Sequence, residues 1–427
     1  MAARRRLDVT LILFYVVAFA YFLACLNRIS AGVVMPYLAE RQGFSATLVG
    51  VLSSLYFYSY GFSQNLWGVV NDRVGPMRAC AAGLLLAAGG SFLASLSPQP
   101  LCVGLSRVIT GLGYGSVFTG IYLYAAIAFP PERYPFWVGV FQVVGNLGTV
   151  VAVAPIGWLL DRLGYRGLSL VLAVLALSMA SLLWVLRGKA PLLPVEVREN
   201  RRGMGEQVVS IFRDMAFVLR LSARDARLRT AMLVWCTSCA GLQTLQGLWG
   251  VSWISASSGV DVGSARFWTT MISVGLVVGS PLGPAVTRAI GGNARRLAAV
   301  MAVLGIFWAL YMGASMLEGS APWMGAAGFL IGLLSAAVFV FCGSTIKALA
   351  LVGRAGAVIG AANMMIFALL IAFQSLSGFV IDLFPSAVPG QYLSRGFFIG
   401  FVPVVLSILA ATVSALTVPS FNPDKGC

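Results

Sequence analysis

Apolar stretches of about twenty residues recur along the whole chain, separated by short polar breaks. That is the length of a helix crossing a bilayer. The pattern predicts spans at 11–36, 46–70, 79–97, 101–125, 135–160, 166–186, 230–256, 263–287, 296–316, 321–347, 355–384 and 394–417. A membrane β-barrel would instead alternate in segments of about ten residues, and no such alternation is present. The expectation is an all-α polytopic membrane protein with twelve transmembrane helices in two six-helix bundles.

The longest polar break follows the sixth span and begins RGKAPLLPVEVRENRRGMGEQVVSIFRD at Arg187. It divides the chain into an N-terminal bundle (1–186), a cytoplasmic linker (187–229) and a C-terminal bundle (230–427). Inside the linker, Val208, Ile211, Phe212, Met215, Val218 and Leu219 recur at helical spacing, with Arg213, Asp214 and Arg220 on the other side. This predicts an amphipathic helix lying in the membrane interface; an ordinary solvated linker is the alternative.

Composition narrows the class. Of 427 residues, 59% are hydrophobic and 10% charged, too few charges to cover a water-facing surface. The net charge of +15 does not indicate nucleic acid, because its distribution follows topology. With the N-terminus inside, 22 of the 29 Lys and Arg fall in cytoplasmic segments, among them Lys347, Arg354 and Lys425. Five lie on the other side, and Arg28 and Arg107 lie within spans. This bias predicts cytoplasmic termini, in a plasma membrane of the bacterial inner-membrane kind. The basic start MAARRRLDV lacks a small-residue cleavage site and reads as the beginning of a first span. The seven cysteines are scattered, and Cys236 and Cys239 form a CxxC that on a membrane helix simply places two small residues on one face. Histidine, the commonest metal ligand, is missing. No cofactor or metal is expected.

The two halves echo each other. GVVNDRVGPMR after span two places Gly68, Asp72, Arg73, Gly75 and Arg78; GPAVTRAIGGNARR after span eight places Gly283, Thr287, Arg288, Gly291, Arg295 and Arg296 about 215 residues later. GWLLD, ending at Asp161, likewise returns as GFVID, ending at Asp382. Such offsets indicate a duplicated six-helix unit. G-x-x-x-D-R-x-G-P-x-R between spans two and three resembles the signature of the major facilitator superfamily. Arg107, Gly111 and Gly113 match a second pattern of that family, and GWLLDRLGYR a third. The resemblance covers nearly the whole chain. It implies a monomeric carrier in which two bundles rock around a central site. Glycines at the loop permit close approach and sharp turning, and Asp72 with Arg73 could latch the cytoplasmic side in one state. Gly68, Asp72, Arg73, Gly75, Arg78, Gly283 and Arg288 are the expected gating residues. Thr287 stands where the first half has Asp72, so that side's gate should be weaker.

Arg28 is the residue that most needs a reason. A charge at mid-helix costs roughly 2.5–3.5 kcal/mol on insertion scales and by default marks function, and arginine cannot shed its proton. Either it snorkels to the interface or it faces a cavity and an anion. NRISAGVVMPYL is similar to the first span of organophosphate antiporters and related organic-anion transporters. There an arginine eight residues before the proline faces the substrate, as Arg28 stands to Pro36. Those phosphate-ester carriers use a second arginine in span seven; here that span has none. Instead Gln243, Gln246, Trp249 and Trp253 recur on about one face, suggesting a monovalent organic anion. Tyr114, Gln142, Asn146, Asn363 and Gln374 complete the candidate lining, all equally able to serve as helix-packing groups. Arg107 is either a structural strut or a functional cation. Tyr56, Tyr58 and Tyr60 alternate, so they cannot all face one cavity.

None of the 14 acidic residues is placed deep in a span. That favours anion exchange, facilitated diffusion or co-transport of a proton on the substrate. There is no phosphate-binding loop of an ATP-driven pump and no nucleophile–base or metal constellation, so a transporter is expected rather than an enzyme. The expected function is alternating-access transport of a small, monocarboxylate-like organic anion. The partners are a small molecule and the bilayer, without nucleic acid. An exporter of amphipathic compounds and a non-transporting receptor are the alternatives.

Overall fold

A computed structural model describes residues 2–130, 132–189, 204–349, 355–386, 388, 391–418 and 420–421. Linker residues 190–203, Arg354, Lys425 and Cys427 lie outside them. Among the described residues the regular elements are helices, with one isolated bridge between Pro385 and Tyr392. The first half contains α1 (Ala2–Gln42), α2 (Ala46–Val74), α3 (Pro76–Leu96), α4 (Pro100–Ala128), α5 (Tyr134–Val151) and α6 (Ala154–Leu186). Then come α7 (Met204–Arg224), α8 (Ala226–Thr244), α9 (Gly250–Ser258), α10 (Val262–Gly279), α11 (Gly283–Ile290), α12 (Ala294–Ala314), α13 (Ala321–Leu349), α14 (Ala355–Asp382) and α15 (Ser394–Thr417).

Nine helices among the described residues are long and apolar enough to cross a membrane. The other three expected spans are polar or broken in the structure. Polar side chains interrupt α2, which carries Ser53, Ser54, Ser59, Ser63, Gln64 and Asn71. Span five breaks at Ala152–Val153 and continues into α6, whose interior Gly164 (φ 67°) separates it from span six. Span seven is α8 and α9 joined by a π-helical turn, Leu245–Trp249. Polar caps start several helices in the second half: Asp225 accepts from the N–H groups of Arg227 and Leu228, Asp261 from Ser264, and Asn293 from Arg295 and Arg296. Each satisfies N–H groups left open at a helix start.

The chain forms two compact units, residues 1–30 with 55–210 and residues 31–54 with 211–427. Small residues set the helix spacing in each, since apolar side chains gain little by leaving lipid for another helix. In the first unit a Cβ on Gly113 would stand 2.4 Å from the Gly83 carbonyl oxygen, and one on Gly111 would stand 2.5 Å from that of Tyr56. The second unit repeats the device between α10 and α13, where a Cβ on Gly279 would meet the Leu333 oxygen at 2.1 Å. Trp253, Trp308, Tyr311, Phe397 and Phe401 are buried together in the second unit.

The sequence echo has a backbone counterpart. Gly75 has φ 85° and Gly291 has φ 55°, so both loops turn through the left-handed region that glycine enters without a Cβ penalty. Gly75→Ala is expected to cost about 1 kcal/mol and to lower the melting temperature of the purified protein. Ala introduced at Gly89, which lies in open space inside α3, should leave it unchanged or raise it slightly.

Candidate functional site

Tyr21, Cys25 and Arg28 follow one another at helical spacing along α1 and share a face. The Arg28 guanidinium has one weak partner, its Nη2 donating to Cys25 Sγ at 3.9 Å, and its buried Nε has none. The rest of its electrostatic surroundings is phenolic: Tyr60, Tyr21 and Tyr56. The side chain is part-exposed although it lies mid-span. The one ion pair among the described residues joins Arg227 to Asp225, so no described carboxylate neutralises Arg28.

Two of the α2 tyrosines build the wall beside it. Tyr56 and Tyr60, four residues apart, stack with centroids 5.5 Å apart, while Tyr58 points away and is 58% exposed. Arg107 approaches Tyr56 as well, its Cζ 4.6 Å from the ring centroid. Gly111 makes this approach possible, because it brings α4 onto the α2 backbone at Tyr56 one turn further along. Arg107 is buried, and its Nε and Nη2 find no acceptor; the Tyr56 hydroxyl also lacks a partner. Tyr114 is buried near Tyr56. The first unit therefore holds a buried and a part-exposed guanidinium, Arg107 and Arg28, that both act on Tyr56, with no counter-ion among the described residues. Buried charges of this kind require an acceptor. Tyr56 and Tyr60 belong to this surround although they were not among the candidate site residues; their four-residue spacing is the signal that could have selected them.

Gln142 and Asn146 are part-buried on α5. Gly145 and Gly148 of that helix press against Tyr21 and Phe22 of α1, which sets α5 beside the Arg28 helix.

Candidates from span seven do not share one wall. The π turn inserts an extra residue into the helical repeat, so positions on either side of it lose their common phase. Gln243 donates to Cys239 Sγ at 3.2 Å, Gln246 to Ser273 Oγ at 2.6 Å, and the Trp249 indole to Ser377 Oγ at 2.8 Å. Trp253 stacks among Tyr311, Phe397 and Phe401. Gln374 is fully buried, its Oε1 3.4 Å from the Ser54 hydroxyl, and Asn363 is part-buried on the same helix. Trp249→Phe removes a buried bond while Ser377 keeps its bond to the Gln374 carbonyl. A loss of about 1 kcal/mol, read as a lower melting temperature, is expected.

At the loop after α2, Asp72 is exposed and makes no hydrogen bond or ion pair with a described residue. Arg73 is part-buried and Arg78 exposed. No atom lies within 4 Å of a Cβ placed on Gly68, so the close approach expected there is not made. Its counterpart Gly283 does make one, against Val340. The Thr287 hydroxyl bonds back to the Gly283 carbonyl within its own helix, and Arg288 is exposed.

A family model described as "Major Facilitator Superfamily" matches residues 17–375. A gentisate transporter of Corynebacterium glutamicum is 24% identical over 289 residues, 65% of this chain and 60% of that protein. A putative tartrate transporter of Agrobacterium vitis is 24% identical over 57% of each chain. A probable sulfoacetate transporter of Cupriavidus necator is 23% identical over 38% of each. The aligned regions thus span between about two fifths and three fifths of these relatives. Among solved structures, a bacterial homologue of the human lysosomal transporter Spinster superposes with a TM-score of 0.73 at 13% identity, covering 97% of this chain and 99% of that one.

Proposed function

We propose, from the premise that the chain belongs to the Major Facilitator Superfamily, that it carries a small organic anion across the membrane by alternating access, with Arg28 as the anion receptor. It is a multi-pass integral membrane protein of a family of transporters. One observation carries the substrate reading: Arg28 is held mid-span among phenols with no carboxylate among the described residues to neutralise it. A guanidinium in that position attracts an anion, and its planar donors fit a carboxylate. The Tyr56 hydroxyl, which has no partner, can add a donor, and aromatic walls suit an apolar body. The named substrates of the relatives, gentisate, tartrate and sulfoacetate, are organic anions, which supports this chemistry.

The preferred cargo is monocarboxylate-like, since Arg28 presents one fork and span seven adds no cation. Coupling follows from the same shortage of membrane-embedded acids, by exchange, facilitated diffusion or a proton carried on the substrate. The basic bias of the inside segments supports cytoplasmic termini, and the reading extends to a bacterial inner membrane with the linker helix α7 along the interface. The protein works as a monomer without a cofactor.

A thermal-stability screen of the purified protein tests this reading. Its library holds monocarboxylates, dicarboxylates, phosphate esters and lipophilic cations. A ligand at about a hundred times its Kd stabilises the protein by about 2.7 kcal/mol, and monocarboxylates are expected to give the largest shifts. A response confined to lipophilic cations would overturn the anion reading and favour an exporter of amphipathic compounds.

A further inference from the structure

The last residue of α14, Asp382, reaches the first turn of α2, 336 positions earlier. Its Oδ1 accepts the Ala46 N–H at 2.7 Å and its Oδ2 accepts the Thr47 N–H at 2.7 Å. A helix start leaves four N–H groups open. Here the local hydroxyl of Ser45 takes the Leu48 N–H at 3.2 Å, and the distant carboxylate takes two others. The contact continues on both sides. Tyr392 donates its hydroxyl to the Phe44 carbonyl at 3.3 Å, and Ser54 Oγ lies 3.3 Å from Ser375 Oγ. Glycines bring the backbones together: a Cβ on Gly378 would stand 2.4 Å from the Ala46 oxygen, and one on Gly50 2.5 Å from the Gln374 oxygen. At the opposite end of α2, Asp72 has no such partner among the described residues.

We propose that Asp382 is a releasable latch that holds the outer end of α2 against α14, and that breaking its two bonds is the step that opens this end of the carrier. The physics suits a two-state catch. A carboxylate gains from the partial positive charge of a helix start and from two charge-assisted hydrogen bonds. Both gains vanish once the helix end moves beyond bonding distance, so the contact is either made or lost. Ser54, Gln374 and Gly378 form the smooth surface over which α2 parts from α14; Asp382 supplies the hold. The inference rests on the alternating-access reading above, and the term outer rests on the cytoplasmic termini.

The test places a reporter cysteine under the latch, Ser54→Cys, where Ser54 is buried. A membrane-impermeant maleimide is added to intact cells and, separately, to inverted vesicles. Labelling is read by mass spectrometry of the peptide carrying position 54, so the native cysteines do not interfere. Asp382→Asn is expected to raise labelling in intact cells about tenfold, equivalent to about 1.4 kcal/mol in the latch equilibrium, and Asp382→Glu to restore protection. Ala46→Pro deletes one donor from the other partner, at a first-turn position that tolerates proline; it should shift labelling in the same direction by a smaller factor. It carries the test if Asp382→Asn yields no folded protein. Labelling unchanged in these variants overturns the latch. A rise confined to inverted vesicles supports the latch and overturns the cytoplasmic placement of the termini.

Discussion

Arg28→Gln is expected to leave a folded protein whose melting temperature no organic anion raises, and to abolish uptake of the anion that stabilises the unaltered chain. Two parts of this result are independent. Without ligand, the Gln variant should be as stable as its parent or more so, because it removes an uncompensated charge whose placement costs roughly 2.5–3.5 kcal/mol. With ligand, it should show no shift, because an amide offers neither charge nor a two-pronged donor set. A structural role predicts the opposite, a ligand-free protein that melts earlier while still responding to anions. Arg28→Lys keeps the charge as a point and loses the planar fork. Affinity about ten- to a hundredfold weaker is expected, on the scale of about 1–3 kcal/mol for a charge-assisted bond. Ligand titrations followed by thermal unfolding measure all three proteins on one axis. Arg107 enters the same series: if it acts as a cation toward substrate, Arg107→Gln weakens binding without lowering the ligand-free melting temperature.

The second large effect concerns assembly. Gly113→Leu is expected to prevent recovery of monodisperse protein, while Gly89→Leu on the neighbouring helix is tolerated. At Gly113 a Cβ would lie 2.4 Å from the Gly83 oxygen and 2.5 Å from the Ala87 nitrogen. Both obstacles are backbone, so no rotamer change relieves them, and α3 and α4 must separate. Overpacking of that kind costs about 1–3 kcal/mol even in forgiving cores. Here separation also disturbs α4 where it carries Arg107 and Gly111. Gly89 meets nothing within 4 Å. Fluorescence-detected size-exclusion chromatography of the two tagged variants distinguishes them, and recovery of Gly113→Leu at parental yield would contradict the packing account.

Particular residues show how far the chain could be read before its fold was known. Hydropathy is a local property, so the apolar spans, the break after span six and the cost of placing Arg28 in a helix were all legible. The turn glycine Gly75 and its echo Gly291 were legible too, because the loop motif repeats. Tyr56, Tyr58 and Tyr60 were divided correctly in principle, since alternate residues cannot share a helical face; which pair turned inward depended on where α4 packed. Gln246 and Trp249 were expected on one face by regular helical counting. The π turn rotated that count, and Ser273 and Ser377 lie on distant segments that no local period predicts.

Asp382 marks the boundary most clearly. In sequence it is the end of an apolar run, similar to Asp161 in the first half. Its carboxylate became a cap for α2 only when glycines 50 and 378 let two helices approach within bonding distance. What the sequence by itself determined were properties carried by neighbours a few residues apart: span length, polarity, turn geometry and the cost of a buried charge. The tertiary structure decided which distant donor met which acceptor, because hydrogen bonds and close packing act over a few ångströms and only folding brings such groups within that range.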